Sequence, residues 1–259
     1  MRRWHVSRLL GKGLFFVGLL LVWHILAIAE IWPVWVFPGP LDVADSILSG
    51  CMDGSFVEGA GRSLGRIALG YGISLVIGLP LGLAVGRMRL LGDTVGTLSL
   101  GLQSLPSVCW LPLGLLWFGL NESAIMFVVV MGAIFSIILS TADGVRNTTP
   151  LYLKAGKTLG AHGLFLYTRV VLPAALPAIV SGMKLGWTFA WRSLMAGELL
   201  YVSGGLGQLL SMGRELNDMP RVMAVMLVII MIGLTIDRLV FARLETRLRE
   251  RWGLAGSGR

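Results

Sequence analysis

Charged residues are scarce in this chain. Asp, Glu, Lys and Arg make up 14% of the 259 residues, while hydrophobic types make up 55%. That balance excludes an ordinary soluble domain, whose surface must be hydrated by charge. Cysteine is nearly missing as well: Cys51 and Cys109 share no metal-ligand or redox spacing. The three histidines, His5, His24 and His162, are scattered, so metal chemistry has no support. Paired carboxylates, a metal-ligand cluster and a nucleophile–base set are all lacking, which argues against a membrane-embedded enzyme. No internal repeat and no low-complexity segment is evident. What the chain has instead is glycine, 35 residues of it, and long apolar runs. It reads as an all-α polytopic membrane protein.

About 20 residues at about 1.5 Å per residue cross the hydrocarbon core. By that measure six spans are expected, near 14–32, 64–86, 95–118, 123–143, 174–198 and 221–241. The net charge of +8 invites a nucleic-acid reading, but the basic residues cluster at membrane edges. Arg2, Arg3, Arg8 and Lys12 precede the first run, Arg87 and Arg89 follow the second, Arg146, Lys154, Lys157 and Arg169 follow the fourth, and Arg243, Arg247, Arg249 and Arg251 close the chain. All fall on one side, whereas Asp42, Asp45, Asp53, Glu58, Glu122, Glu215 and Asp218 fall on the other, with Arg62 and Arg214 as exceptions. The positive-inside bias places both termini in the cytoplasm of a bacterial cell with this chain in its inner membrane, and nucleic acid is not an expected partner. The expected organisation is a cytoplasmic tail over 1–13, a transmembrane domain over 14–242 with a cytoplasmic loop at about 144–173, and a basic cytoplasmic tail over 243–259.

The first run also has the character of a signal peptide, with Arg2-Arg3, an apolar stretch and Ala27-Ile28-Ala29. Its length and the interfacial Trp23, Trp32 and Trp35 favour a retained span. Phe37-Pro38-Gly39-Pro40 makes a stiff turn ahead of an amphipathic stretch from Leu41 to Leu48 on the outer face. The Gly-rich segment from Tyr201 to Gly207, followed by an amphipathic stretch through Met212, reads as a re-entrant or surface helix.

Small residues recur every fourth position at Gly78, Gly82 and Gly86, and at Gly182 and Gly186. Such stripes let membrane helices approach closely, either within one bundle or between subunits. Pro80, Pro106 and Pro112 are expected to kink or interrupt their helices. Around Ser104-Leu105-Pro106-Ser107, two readings stand: a broken helix whose exposed backbone lines a cavity, with Gln103, Ser104 and Ser107 beside it, or a kink that packs.

The fifth span carries Lys184, Trp187, Trp191, Arg192 and Glu198, a dense polar set for hydrocarbon. One reading is a translocation pathway for an anion with aromatic walls, together with Ser104 and Ser107. The other has Lys184 snorkelling to the interface and Arg192 pairing with Glu198 or with helix-end carbonyls.

Between the fourth and fifth spans lies Lys154-Ala155-Gly156-Lys157-Thr158-Leu159-Gly160-Ala161, followed by Val170-Val171-Leu172-Pro173. Gly156-Lys157-Thr158 has the ending of a phosphate-binding loop, but Leu151 stands where its first glycine is needed and no strand precedes it. The stretch suits a loop that leaves the bilayer, forms short helices and turns back, with Gly160 allowing the turn and Pro173 and Pro177 starting the returning helix. In form it resembles the EAA loop of ABC-importer permeases. Leu172-Pro173-Ala174-Ala175-Leu176-Pro177, Trp110-Leu111-Pro112 with Leu116-Trp117-Phe118-Gly119, and Ser203-Gly204-Gly205-Leu206-Gly207 extend the resemblance, from about Phe37 to Trp252, to the branch importing nitrate, taurine and other alkanesulfonates, or bicarbonate.

The resemblance implies the fold of a type I importer permease. It implies a homodimer of permeases, two cytoplasmic ATPase subunits that hold ATP and Mg, an extracytoplasmic solute-binding protein, and no cofactor or metal on this chain. Residues 149–163 are then the coupling helix that docks on the ATPase, with Lys154 to Ala161 and Pro173 as the coupling residues. Two positions depart from the pattern: Lys154 replaces its Glu and Gly156 its second Ala. The rival expectation is a secondary transporter driven by an ion gradient, which needs no docking loop.

Overall fold

The computed structural model describes residues 2–29, 31–33, 35–200 and 204–251. Among them every regular element is helical: α1 (Arg2–Ile28), α2 (Pro40–Met52), α3 (Ser55–Arg87), α4 (Arg89–Gln103), α5 (Ser107–Phe118), α6 (Glu122–Arg146), α7 (Pro150–Thr158), α8 (Gly163–Leu200), α9 (Leu206–Glu215) and α10 (Met219–Leu248). Helices α3, α6, α8 and α10 are long and apolar enough to cross a bilayer. The remaining two expected spans take other forms. The expected 14–32 span is the apolar part of α1, Gly13–Ile28, in a helix that already begins at Arg2. The expected 95–118 span is not one helix. Its two limbs, α4 and α5, meet at 102°. Pro106 is the cause: it lacks an N–H, disfavours helix at Leu105, and itself sits at φ −53°, ψ 134°. Pro112 lies in the first turn of the helical segment that follows, where a missing N–H costs nothing.

The described residues fall into two compact units, residues 1–61 with 204–230, and residues 62–203 with 231–259. In the first unit, α2 begins at Pro40, and the Asp42 carboxylate accepts a hydrogen bond from the Gly39 N–H at 2.9 Å. Trp23 Nε1 donates to the Pro38 carbonyl at 3.0 Å, fixing α1 to the turn ahead of α2. The expected re-entrant or surface helix is α9, starting at Leu206; Tyr201, Val202 and Ser203 lie outside the described residues.

In the second unit α6 is the central element. A Cβ on Gly82 of α3 would stand 2.7 Å from the Ile138 carbonyl oxygen, and one on Gly86 2.9 Å from that of Ala142. From the other side, a Cβ on Gly182 of α8 would stand 2.3 Å from Ser140 Cβ, and one on Gly186 2.9 Å from Ile137 Cγ1. Both glycine stripes therefore pack on α6 inside this chain, bringing the helix backbones together where van der Waals contact is the main attraction. Gly82→Leu is expected to destabilise the chain by about 1–3 kcal/mol, because the obstructing atom is backbone and cannot turn aside. Thermal unfolding in detergent measures this, with Gly72→Leu as the control, since a Cβ there meets nothing within 4 Å.

Candidate functional site

Two regions gather the polar groups that sequence reasoning singled out. The first is a cavity of about 370 Å³ at the bend between α4 and α5, in the second unit. Gln103, Ser104 and Ser107 line it from the bend, Gly132 and Phe135 from α6, and Phe189 and Arg192 from α8. The break at Pro106 opens this space, because the two limbs turn away from each other there. Arg192 lies over the Phe189 ring, its Cζ 5.1 Å from the centroid. No carboxylate is among the described lining residues.

Arg192, Ser104 and Ser107 thus share one cavity, and the other polar residues of α8 face elsewhere. Lys184 Nζ lies 3.2 Å from Asp237 Oδ1 and 3.8 Å from Glu245 Oε1, both on α10. Trp187 stacks on Trp191 with centroids 6.2 Å apart, and also meets Tyr71 and Phe241. Residues 184, 187 and 191 follow one helix face and 189, 192 and 196 another. Lys184 and Arg192, eight residues apart, were expected on roughly one face; at about 100° per residue their directions differ by about 80°, enough to put them on different neighbours.

Glu198 is fully buried near the C-terminal end of α8. Ser63 Oγ lies 2.9 and 2.7 Å from its two carboxylate oxygens, and Arg66 Nη1 donates to Oε1 at 2.8 Å. The same guanidinium donates from Nε and Nη2 to both oxygens of Glu122, at 2.7 and 2.6 Å. Arg66 therefore ties α3 to α6 and α8 at one end of the unit. The sequence reading missed it, although an ionisable residue in an apolar run was signal enough.

The second region is α7 and the turn after it. Lys154, Ala155, Lys157, Thr158 and Leu159 are exposed, with Leu151 and Tyr152 extending an apolar ridge; Gly156 and Ala161 are buried. The helix ends in a Schellman turn. Ala161 N–H donates to the Gly156 carbonyl at 2.9 Å and Gly160 N–H to that of Lys157 at 3.0 Å, with Gly160 at φ +86°. The departure at Gly156 has a packing reason: a Cβ there would stand 2.8 Å from Leu166 Cδ1 and 3.0 Å from Val170 Cγ2, side chains of α8 that fill the space. Pro173 does not start the returning helix. That helix starts at Gly163 and runs through Pro173 and Pro177. A π turn at Tyr167–Val171, closed by Leu172 N–H to the Tyr167 carbonyl, widens the helix just ahead of the proline ring.

Helices α3 to α8 thus place a short exposed helix, α7, between two membrane-length ones. The family model of binding-protein-dependent transport system inner membrane components matches residues 75–250. The chain belongs to this family. It is 36% identical over 186 residues to a putative ABC transporter permease of Methanocaldococcus jannaschii, covering 71% of this chain and 70% of that protein. It is 27% identical over 241 residues to the taurine transport system permease of Escherichia coli, covering 91% and 88%. Among solved structures, a chain of the MetNI methionine ABC transporter in an inward-facing conformation superposes with a TM-score of 0.64 at 21% identity, over 76% of this chain and 97% of that one, a likeness of fold.

As an ABC permease, this protein is a multi-pass membrane component of a transport pore and not an enzyme. Its family membership implies an ATPase and a solute-binding protein as partners. Gly160→Val is expected to cost about 1–3 kcal/mol locally, since a β-branched residue at positive φ is strained. Recovery of the ATPase with the tagged permease is expected to fall, while the permease itself still reaches the membrane.

Proposed function

We propose that this permease forms the membrane path of an ATP-driven importer for a small anion: nitrate, bicarbonate, taurine or an alkanesulfonate. The observation that carries the reading is the cavity at the α4–α5 bend, where Arg192 is joined by Ser104 and Ser107 and by no described carboxylate. A guanidinium with hydroxyls nearby suits a planar or tetrahedral oxyanion, which it can meet with two parallel N–H groups. The E. coli relative named for taurine transport supports the same class, since taurine carries a sulfonate.

Two copies of this permease assemble with two ATPase subunits, which hold ATP and Mg, and a binding protein delivers the solute. The ATPase docks on α7, whose exposed Leu151, Tyr152, Ala155 and Leu159 form an apolar ridge flanked by Lys154 and Lys157. The two lysines favour an acidic partner surface. The positive-inside bias supports cytoplasmic termini. Lys184 takes no part in the path and is held by Asp237 and Glu245, and Trp187 and Trp191 brace α8. Closure of the ATPase dimer moves α7, and α8 with it, so that the path opens to one side and then the other.

The test is the ATPase rate of the permease co-purified with its ATPase in nanodiscs, as the binding protein and then each of the four solute classes are added. Stimulation that requires both the binding protein and one of these anions is the expected result. Stimulation only by a solute that carries no anionic group would overturn the assignment.

A further inference from the structure

The second unit holds another cavity, of about 440 Å³, lined by Thr97 and Leu100 of α4 and by Leu139, Ser140, Asp143 and Arg146 of α6. Gln103 lines both this cavity and the one that holds Arg192. The order of residues on each helix shows how the two are related. Thr97 and Leu100 of α4 line the second cavity, Gln103 lines both, and Leu102 and Ser104, on either side of it, line the first. Along α6, Gly132 and Phe135 face the first and Leu139 to Arg146 the second. Ser136 falls between, nearly fully buried, and accepts a hydrogen bond from Gln103 Nε2 at 3.2 Å. The α6 stripe from Gly132 to Arg146 extends about 21 Å at about 1.5 Å per residue, out of a hydrocarbon thickness of about 30 Å.

We propose that the Gln103–Ser136 hydrogen bond is the barrier between two halves of one solute route, and that the Gln103 carboxamide turns from Ser136 to the anion as it passes. The inference rests on the pathway reading above. The chemistry suits the position, because an amide N–H can satisfy either a hydroxyl or an anion, so neither state strands a buried donor. The architecture suits it as well. Gln103 is the last residue of α4, directly before the 102° bend, so a small rotation of α4 against α5 carries its side chain away from Ser136. Ser136 sits on α6, held from both sides by the glycine-mediated packing of α3 and α8, and supplies the fixed half of the pair.

The experiment reads water access on each side of the barrier. In the assembled transporter, with Cys51→Ser and Cys109→Ser to remove the two exposed native thiols, single cysteines are placed by Ser107→Cys in the first cavity and Thr97→Cys in the second. The anionic reagent methanethiosulfonate ethylsulfonate is applied without ATP to right-side-out and to inverted membrane vesicles. Each cysteine is expected to react from one side only, and from opposite sides. Adding Gln103→Ala is expected to raise the rate from the silent side by up to about tenfold, the loss of one net hydrogen bond. Gln103→Leu keeps the bulk but loses the same hydrogen bond, so it too is expected to raise the rate from the silent side, and to slow uptake, because leucine offers the anion no donor. Undiminished co-purification of the ATPase shows that each variant is assembled. Reaction of both cysteines from the same side with Gln103 in place, or unchanged sidedness in Gln103→Ala, overturns the barrier and leaves the pathway standing. Failure of both cysteines to react from either side overturns the pathway, and the barrier with it.

Discussion

Arg66→Ala is expected to lower the unfolding midpoint of this permease in detergent by about 10 °C, corresponding to about 3–5 kcal/mol for a buried ion pair broken by removing one member. The reason is the asymmetry of the network. Glu198 has no solvent-accessible surface and Arg66 little, whereas the Glu122 side chain is 58% exposed. Removing Arg66 takes from the buried Glu198 carboxylate a guanidinium that meets it at 2.8 Å. Removing Glu122 breaks a bidentate contact, but at a site where water takes over, so Glu122→Ala is expected to cost about 1 kcal/mol or less. Arg66→Lys does not rescue, because one ammonium cannot reproduce three N–H contacts to two carboxylates on different helices. The double change Arg66→Met with Glu198→Leu removes both buried charges together and is expected to recover much of the loss. If Arg66→Ala and Glu122→Ala cost the same, the buried arm of the network contributes nothing and the reasoning fails.

Arg192→Gln is expected to cut solute uptake at least about tenfold, equivalent to about 1.4 kcal/mol of lost interaction in the path. Assembly with the ATPase and basal ATP hydrolysis are expected to change little, since Arg192 lies far along the chain from α7 and faces a cavity. At about 4 Å and an effective dielectric constant of about 20, a full charge contributes about 4 kcal/mol, so a tenfold effect is the lower end of what electrostatics allows. Arg192→Lys retains the charge but loses the planar fork, and intermediate uptake is expected. Lys184→Gln is the matched control: it removes a cation from the same helix, yet from the face that meets Asp237 and Glu245. Equal losses of uptake in the two variants would show that α8 responds to charge in general and that the cavity has no special claim on Arg192.

The glycine stripes and the turn at Gly160 were legible because each rests on a local rule. Four-residue spacing of small residues specifies close helix packing, and the structure shows which helix receives both stripes. The Gly160 turn needs a left-handed residue, and only glycine adopts that conformation without strain. The faces of α8 were not legible. Lys184, Trp187, Trp191, Arg192 and Glu198 stand within fifteen residues, and spacing alone left a shared route and separate anchoring both open. Their separation depends on what surrounds α8: α10 brings two carboxylates to Lys184, α3 brings Arg66 and Ser63 to Glu198, and the bend brings space to Arg192.

By itself, the sequence determined that this protein lives in a membrane, that its elements are helices, that a short stretch between two long helices leaves the bilayer, and where its helix stops. These follow from composition, from the length of apolar runs and from the stereochemistry of single residues, all of which act over a few turns of chain. The break of the third apolar run at Pro106 was legible too, but only the tertiary structure decided that Glu198 meets Ser63 and Arg66 and that Gln103 meets Ser136 between two cavities. Those outcomes depend on groups brought together from helices 33 to 135 residues apart. No periodicity within one helix encodes which neighbour its polar side chains will find.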